Sequence, residues 1–262
     1  LIHFKQHFAF FQKSKPEDES AIFELGTGWY PVIPVAFFLN GVDYITTVDV
    51  SGFLSKERVM TTMKKYLYYW HSGQLMDWIS YTETQMLDLK KLYERKEQLN
   101  LEQLLSGLNI IYNVGDAAQI KLSKRAFDLV ISNNTFEHVY PDELYRLLAR
   151  FKDILKPNGA MVHFIDMSDH FAHLDKSITI YNFLQFSDGA WKWIDNSVQP
   201  QNRWRIDDYR KLYQELEIPI TEEINRPGNQ AEVEYLVLAD RFKEKSLMDL
   251  AISHSYIYSR IG

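Results

Sequence analysis

Apolar residues in this chain fall into short, β-branched runs that close on small or acidic residues, and between the runs they recur at helical spacing. Ala21 to Leu25 is the first run, ending in Gly26-Thr27-Gly28, and Val32 to Leu39 behind it predicts a helix opening near Pro31. Tyr44 to Val48 is a second, ending on Asp49; Asn109 to Val114 is a third, ending on Gly115-Asp116; Phe127 to Ser132 is a fourth. A helix over about Asp142 to Leu155 then leads through the turn Lys156-Pro157-Asn158-Gly159 into a fifth strand, Ala160 to Ile165, which ends on Asp166. A helix near Asp207 to Leu216 and a strand at Val233 to Ala239 close the pattern. Unbroken apolar strands alternating with helices predict an α/β fold: a Rossmann-like, doubly wound, mostly parallel sheet with helices on both faces.

The stretch between the second and third strands is too long for a connection. Leu87, Leu89, Leu92, Leu99, Leu101 and Leu104 stand there among Lys and Glu, so residues 55–107 are predicted to be an inserted helical cap within a single domain spanning 1–262. Such an insertion covers a site or builds a homodimer, and its sequence does not choose between them. In open α/β sheets ligands sit at the carboxyl ends of strands, where Asp49, Asp116 and Asp166 are expected.

Composition narrows the function. A net charge of −6, with only scattered pairs such as Lys64-Lys65 and Lys90-Lys91, argues against a nucleic-acid partner and for a small-molecule acceptor. With no cysteine, thiolate zinc sites and cysteine nucleophiles are excluded. No run of about 18 apolar residues is present, so no membrane span is expected and a cytoplasmic protein is. The chain opens on Leu1 without an initiator Met, as a trimmed or fragmentary start would. Aromatics make up 15% of the residues and crowd into 66–81 and 181–213, which suits either a substrate pocket or a packed cap.

A glycine turn between strand and helix lets backbone approach a ligand and aims the helix start at it. The dinucleotide fingerprint requires a third glycine where Pro31 stands, which disfavours NAD and FAD. Asp49 can accept hydrogen bonds from both hydroxyls of a ribose. Glu24-Leu25-Gly26-Thr27-Gly28 resembles the first motif of the class I S-adenosylmethionine-dependent methyltransferases, with Tyr30 in place of that motif's last glycine. Gly115-Asp116-Ala117 resembles the family's third-strand signature. Phe127 to Asn134 followed by Phe136-Glu137-His138-Val139 is similar to its fourth-strand motif, and Leu155-Lys156-Pro157-Asn158-Gly159 to the turn before strand five. The resemblance runs over about residues 21–166. It implies S-adenosylmethionine as cofactor, held by Glu24, Gly26, Thr27, Gly28, Asp49, Asp116, Ala117 and Asn133, with Glu24 at the amino-acid end and Asp116 and the next amide at the adenine. It also puts His138 where the cofactor cleft faces the substrate. As strand-end residues, these could equally be caps and loop formers.

Methyl transfer needs a held, aligned nucleophile and a base where that nucleophile carries a proton. In Asp166-Met167-Ser168-Asp169-His170-Phe171-Ala172-His173 the polar residues fall at i, i+3, i+4 and i+7, so a helix there would put Asp166, Asp169, His170 and His173 on one face. Three readings stand side by side: a carboxylate-oriented base on His170 or His173, a divalent-metal site made of the same residues, or a solvated capping face. No spacing matches a zinc motif, so no metal ligand is assigned. Tyr181, Phe183, Trp191, Trp193 and Trp204 with Arg203 and Arg205 could wall an acceptor and grip its anionic group, or could be core and surface. The expected activity is methylation of an O or N atom of a small molecule, such as a sugar or natural-product intermediate. The alternatives are an RNA or protein methyltransferase and a non-catalytic cofactor-binding scaffold.

Overall fold

The computed structural model describes residues 2–14, 19–195 and 200–262. Seven strands form one sheet in the order β3-β2-β1-β4-β5-β7-β6. They are β1 (Ala21–Leu25), β2 (Tyr44–Asp49), β3 (Ile110–Val114), β4 (Phe127–Asn133), β5 (Leu155–Asp166), β6 (Glu222–Arg226) and β7 (His254–Arg260). Strand β1 pairs in parallel with β2 and with β4, and β2 with β3, whereas β6 and β7 are antiparallel. Chain order reverses between β1 and β4, the switch point at whose carboxyl ends such sheets bind ligands. By their contacts the residues group into two compact units: Leu1–Ser132 with Arg150–Val162 and Arg260–Gly262, and Asn133–Ala149 with His163–Ser259.

In the first unit every residue of β1 is buried, which is why the run carries no exposed-face polar alternation. The start of β1 is pinned by Asp128, whose Oδ2 accepts from the Ala21 amide at 2.8 Å and the Lys156 ammonium at 2.9 Å. Helix α1 (Ile2–Ser14) packs Phe4, Phe8 and Phe11 around Phe37 of α2 (Val32–Leu39), with ring centroids 5.0, 6.2 and 5.8 Å apart. Residues 55–107 contain α3 (Lys56–His71), α4 (Glu83–Glu94) and α5 (Leu101–Gly107). Ser55, Thr82 and Asn100 cap these helices by accepting from the backbone amides of Arg58, Gln85 and Gln103. The Tyr66 hydroxyl donates to the Val32 carbonyl at 2.7 Å and so fixes α3 against the start of α2.

Helix α6 (Pro141–Ile154) precedes β5. The second unit then holds α7 (Phe171–Leu174), α8 (Asp188–Ile194), α9 (Ile206–Glu215), α10 (Gln230–Glu234) and α11 (Leu247–Ala251). The strand expected at Val233 to Ala239 is not there. Val233 instead lies in α10, buried with Tyr181, Phe183, Trp191 and Leu250, and Leu236, Leu238 and Ala239 pack against that cluster. The run is apolar because it covers a helical core, and the sheet is completed by β6 and β7. Strand β5 also starts earlier than expected, carrying the Lys156 to Gly159 turn within it through Asn158 at φ 65°.

Candidate functional site

Glu24 and Asp49 stand near the ends of β1 and β2, on either side of the glycine turn. Gly26 and Gly28 take φ of 82° and 69°, which an L side chain resists, and a Cβ on Gly28 would meet nothing within 4 Å. Backbone conformation, rather than room, therefore demands glycine there. The turn is tied down by its own acids: Thr27 Oγ1 donates to Glu24 at 2.8 Å, and the Gly28 amide points at both Asp49 oxygens, 3.1 and 3.2 Å away. Glu24 is 2% exposed. Burial pushes its carboxyl up to about 8; the Thr27 bond opposes the rise and the charge of Asp49 adds to it. Burial likewise lifts Asp49 to about 6, against the pull of the Gly28 amide and the Tyr112 hydroxyl. Neither acid has a cationic partner among these contacts, so each is poised to gain from a donor that arrives with a ligand.

Asp116 follows β3, and its two oxygens accept from the Ala118 amide at 2.8 Å and the Gln119 side chain at 2.6 Å. It holds its own turn, and Ala117 behind it is buried. Beside the glycine turn lies a cleft of about 480 Å³ lined by Tyr30, Val32, Thr61, Thr62, Lys65, Tyr66, Tyr69 and Trp78. Its walls come largely from α3, and Lys65 is its cationic group.

The second unit gathers a different set. Asp166, at the end of β5, has His254 Nε2 3.3 Å from Oδ1 and His170 Nε2 3.7 Å from Oδ2, and Oδ1 also accepts from the Ser168 amide at 2.9 Å. Burial alone would raise this carboxyl, but its contacts with His170, His254 and Ser168 outweigh that and hold it far below the usual carboxylate range. His138 lies edge-on to His170, with centroids 5.0 Å apart, and its Nδ1 is 2.8 Å from the Pro200 carbonyl oxygen. Since a carbonyl only accepts, Nδ1 carries the proton and Nε2 the free lone pair. Burial lowers the His138 pKa, keeping the ring neutral. Glu137 beside it is 3% exposed. No hydrogen bond of ordinary geometry reaches either of its oxygens, and burial pushes its carboxyl well up. Asn133, at the end of β4, likewise carries an unpartnered side-chain oxygen.

Two expected members do not join the set. The helix supposed to align them runs only from Phe171 to Leu174, so no helical face includes Asp166. Asp169 is buried and committed to structure, with Oδ1 accepting the Phe171 amide at 2.9 Å and Oδ2 facing the Asn182 amide group at 3.4 Å. His173 is exposed, its ring 5.8 Å from that of His170. The proposed aromatic wall also dissolves. Tyr181, Phe183 and Trp191 are core, and Trp193 is 91% exposed. Arg203 donates to the carbonyls of Phe183 and Phe186 and to Asp188, while buried Arg205 donates to the carbonyls of Met167, Leu250 and Ile252. Both cations are spent inside the unit. The residues the sequence reading missed are His254, 88 positions beyond Asp166, and Glu137, noticed only as part of a motif. The alternation in His254-Ser255-Tyr256-Ile257-Tyr258 was the available strand signal.

A family model described as a methyltransferase domain matches residues 79–163. No curated protein sequence matches the chain. Among solved structures the chain resembles a protein assigned as a methyltransferase from Bacillus halodurans C-125, with 12% identity, 98% of each chain covered and a TM-score of 0.50. It also resembles one assigned as a sarcosine dimethylglycine methyltransferase from Galdieria sulphuraria, with 13% identity, 98% of this chain and 84% of that one covered, TM-score 0.51. A third is the geranyl diphosphate C-methyltransferase from Streptomyces coelicolor A3(2), with 11% identity, 99% and 75% covered, TM-score 0.54. At these identities the shared property is the fold. Among the described residues no helix is long and apolar enough to cross a membrane.

Proposed function

We propose, from the premise that the chain carries a methyltransferase domain of the class I S-adenosylmethionine-dependent kind, that it methylates an O or N atom of a small molecule. The observation that carries this reading is the pair of buried, cation-free acids at the glycine turn, Glu24 and Asp49. A buried carboxylate is costly until it is matched by a donor. The ammonium at the amino-acid end of the cofactor would supply one to Glu24, and the two ribose hydroxyls would supply two to Asp49. Gly26, Thr27 and Gly28 leave the backbone close to that ligand, while the family resemblance assigns Asp116 and Ala117 to the adenine end and Asn133 to the cofactor site. When bound, the cofactor supplies an electrophilic methyl group on a sulfonium.

The chain's own work is then to hold the acceptor and take its proton. Asp166 fixes the imidazoles of His170 and His254, and one of them serves as the base, with His138 beside them. His173 and Asp169 are given no role. Residues 55–107 supply most of the lining of the cleft beside the glycine turn, about 480 Å³ in volume, whose aromatics and Lys65 suit a small ligand with an anionic group. A net charge of −6 speaks against RNA. The test is calorimetric titration of S-adenosylhomocysteine into wild type and Asp49→Ala, with NAD as competitor. Micromolar binding lost in the variant supports the reading; no binding, or binding of NAD instead, sinks it.

A further inference from the structure

Glu137 and His138 close the short turn Phe136–His138, and His170 precedes α7. One ligand atom from each lies within 4.8 Å of the other two. Two ligands on a single ion stand about 2.1 Å from it and so at most about 4.2 Å apart, which leaves these atoms roughly half an ångström from coordination. We propose that Glu137, His138 and His170 form a site for one divalent cation of borderline softness, such as Zn²⁺ or Co²⁺.

Three independent observations support it. Glu137 is buried at 3% exposure and no side chain partners either of its oxygens, which only the backbone amides of Glu137 and Asp166 face, so a carboxylate ionised there needs a positive charge. The Pro200 carbonyl, 2.8 Å from His138 Nδ1, fixes the tautomer that leaves Nε2 free to ligate. At His170, Asp166 stands 3.7 Å from ring Nε2, the sort of carboxylate neighbour that orients a metal-bound imidazole and leaves Nδ1 to ligate. Two imidazoles and one carboxylate suit such ions and leave coordination positions for oxygen.

What the ion would do rests on the methyl-transfer reading. An acceptor hydroxyl bound to it would lose its proton more readily, and that proton would pass to His254, which shares Asp166 and is not a ligand.

The test is to strip the full chain with a chelator, reload it with Co²⁺, and follow metal content and visible d–d absorption. One tightly held Co²⁺ per chain is expected. It should be weakened by about 100-fold or more in His138→Ala and His170→Ala, weakened in the isosteric Glu137→Gln, and kept in His173→Ala. Circular dichroism verifies that each variant is folded, and Glu137→Gln serves if a histidine variant is not. No binding in wild type, or equal binding in Glu137→Gln and the histidine variants, overturns the site. S-adenosylhomocysteine titrated into the stripped protein separates the two ideas: binding there without Co²⁺ binding defeats the metal site alone, and the reverse defeats the cofactor reading alone.

Discussion

The glycine-turn acids and Asp166 end in opposite states. Glu24 and Asp49 are raised to about 8 and about 6, because burial outweighs the amide and hydroxyl groups they face. Asp166, with 13% of its side chain exposed, is held by two histidines and an amide far below the ordinary range. An acid already satisfied by its own protein positions something, whereas an acid left wanting a donor waits for a ligand. On the reading proposed above, Asp166 orients and the turn acids recognise, and each role can be broken separately.

The largest effect is expected from Asp166→Asn, which removes the charge shared by His170 and His254. Turnover should fall by about 10²- to 10⁴-fold while S-adenosylhomocysteine affinity stays unchanged, measured by steady-state kinetics beside calorimetry. Equal losses in both would erase the distinction. Asp49→Ala should do the converse, weakening S-adenosylhomocysteine about 100-fold, or about 3 kcal/mol, for two hydrogen bonds to a charged acceptor.

The pH behaviour sharpens the comparison at smaller amplitude. Ionised Asp49 is the better acceptor, so affinity should decline as pH falls through about 6. Glu24, largely protonated at neutral pH in the free protein, should release a proton when it meets an ammonium; the calorimetric enthalpy would then depend on the buffer, and Glu24→Gln should abolish that dependence. For the free protein the sign reverses. Both folded pKa values lie above the ordinary carboxylate range, so the stability these acids contribute is full below about pH 4 and is lost as pH rises to about 6 for Asp49 and about 8 for Glu24. Thermal denaturation of wild type should therefore show a steeper loss between about pH 4 and 8 than that of Glu24→Gln. The smallest effect belongs to exposed His173→Ala, within twofold in turnover and about 0.5 kcal/mol in stability.

The parallel half of the sheet was readable because strands β1, β2 and β4, buried on both faces, appear as unbroken apolar runs, and because a glycine turn has a fixed chemistry. The antiparallel edge was not. Glu222 to Arg226 is polar throughout, and the apolar run from Val233 to Ala239 looks like a strand while it serves to cover Tyr181 and Trp191. Helix α1 went unnoticed, since its phenylalanines have meaning only against Phe37. At the candidate site Asp166, His170 and His138 were found by residue type near strand ends. Asp166, Asp169, His170 and His173 were grouped by a helical register that the chain does not adopt over that stretch, and only Asp166 and His170 of the four meet in the fold. Glu137 and His138, adjacent in sequence and 33 and 32 positions before His170, follow no ligand spacing; their convergence is a product of tertiary structure.

Arg205 gives the second unit a timetable. Its guanidinium is fully buried without a carboxylate, and two of its three carbonyl acceptors, on Leu250 and Ile252, lie 45 and 47 residues further along. A ribosome adds about 5–20 residues per second, so for some seconds of synthesis this cation has nowhere dry to go and must stay in water. His254, the partner of Asp166, emerges in the same closing stretch. A messenger broken before the codon for Leu250 would accordingly yield a chain with a complete glycine turn and an unclosed second unit, open to proteases at the half that holds the histidines.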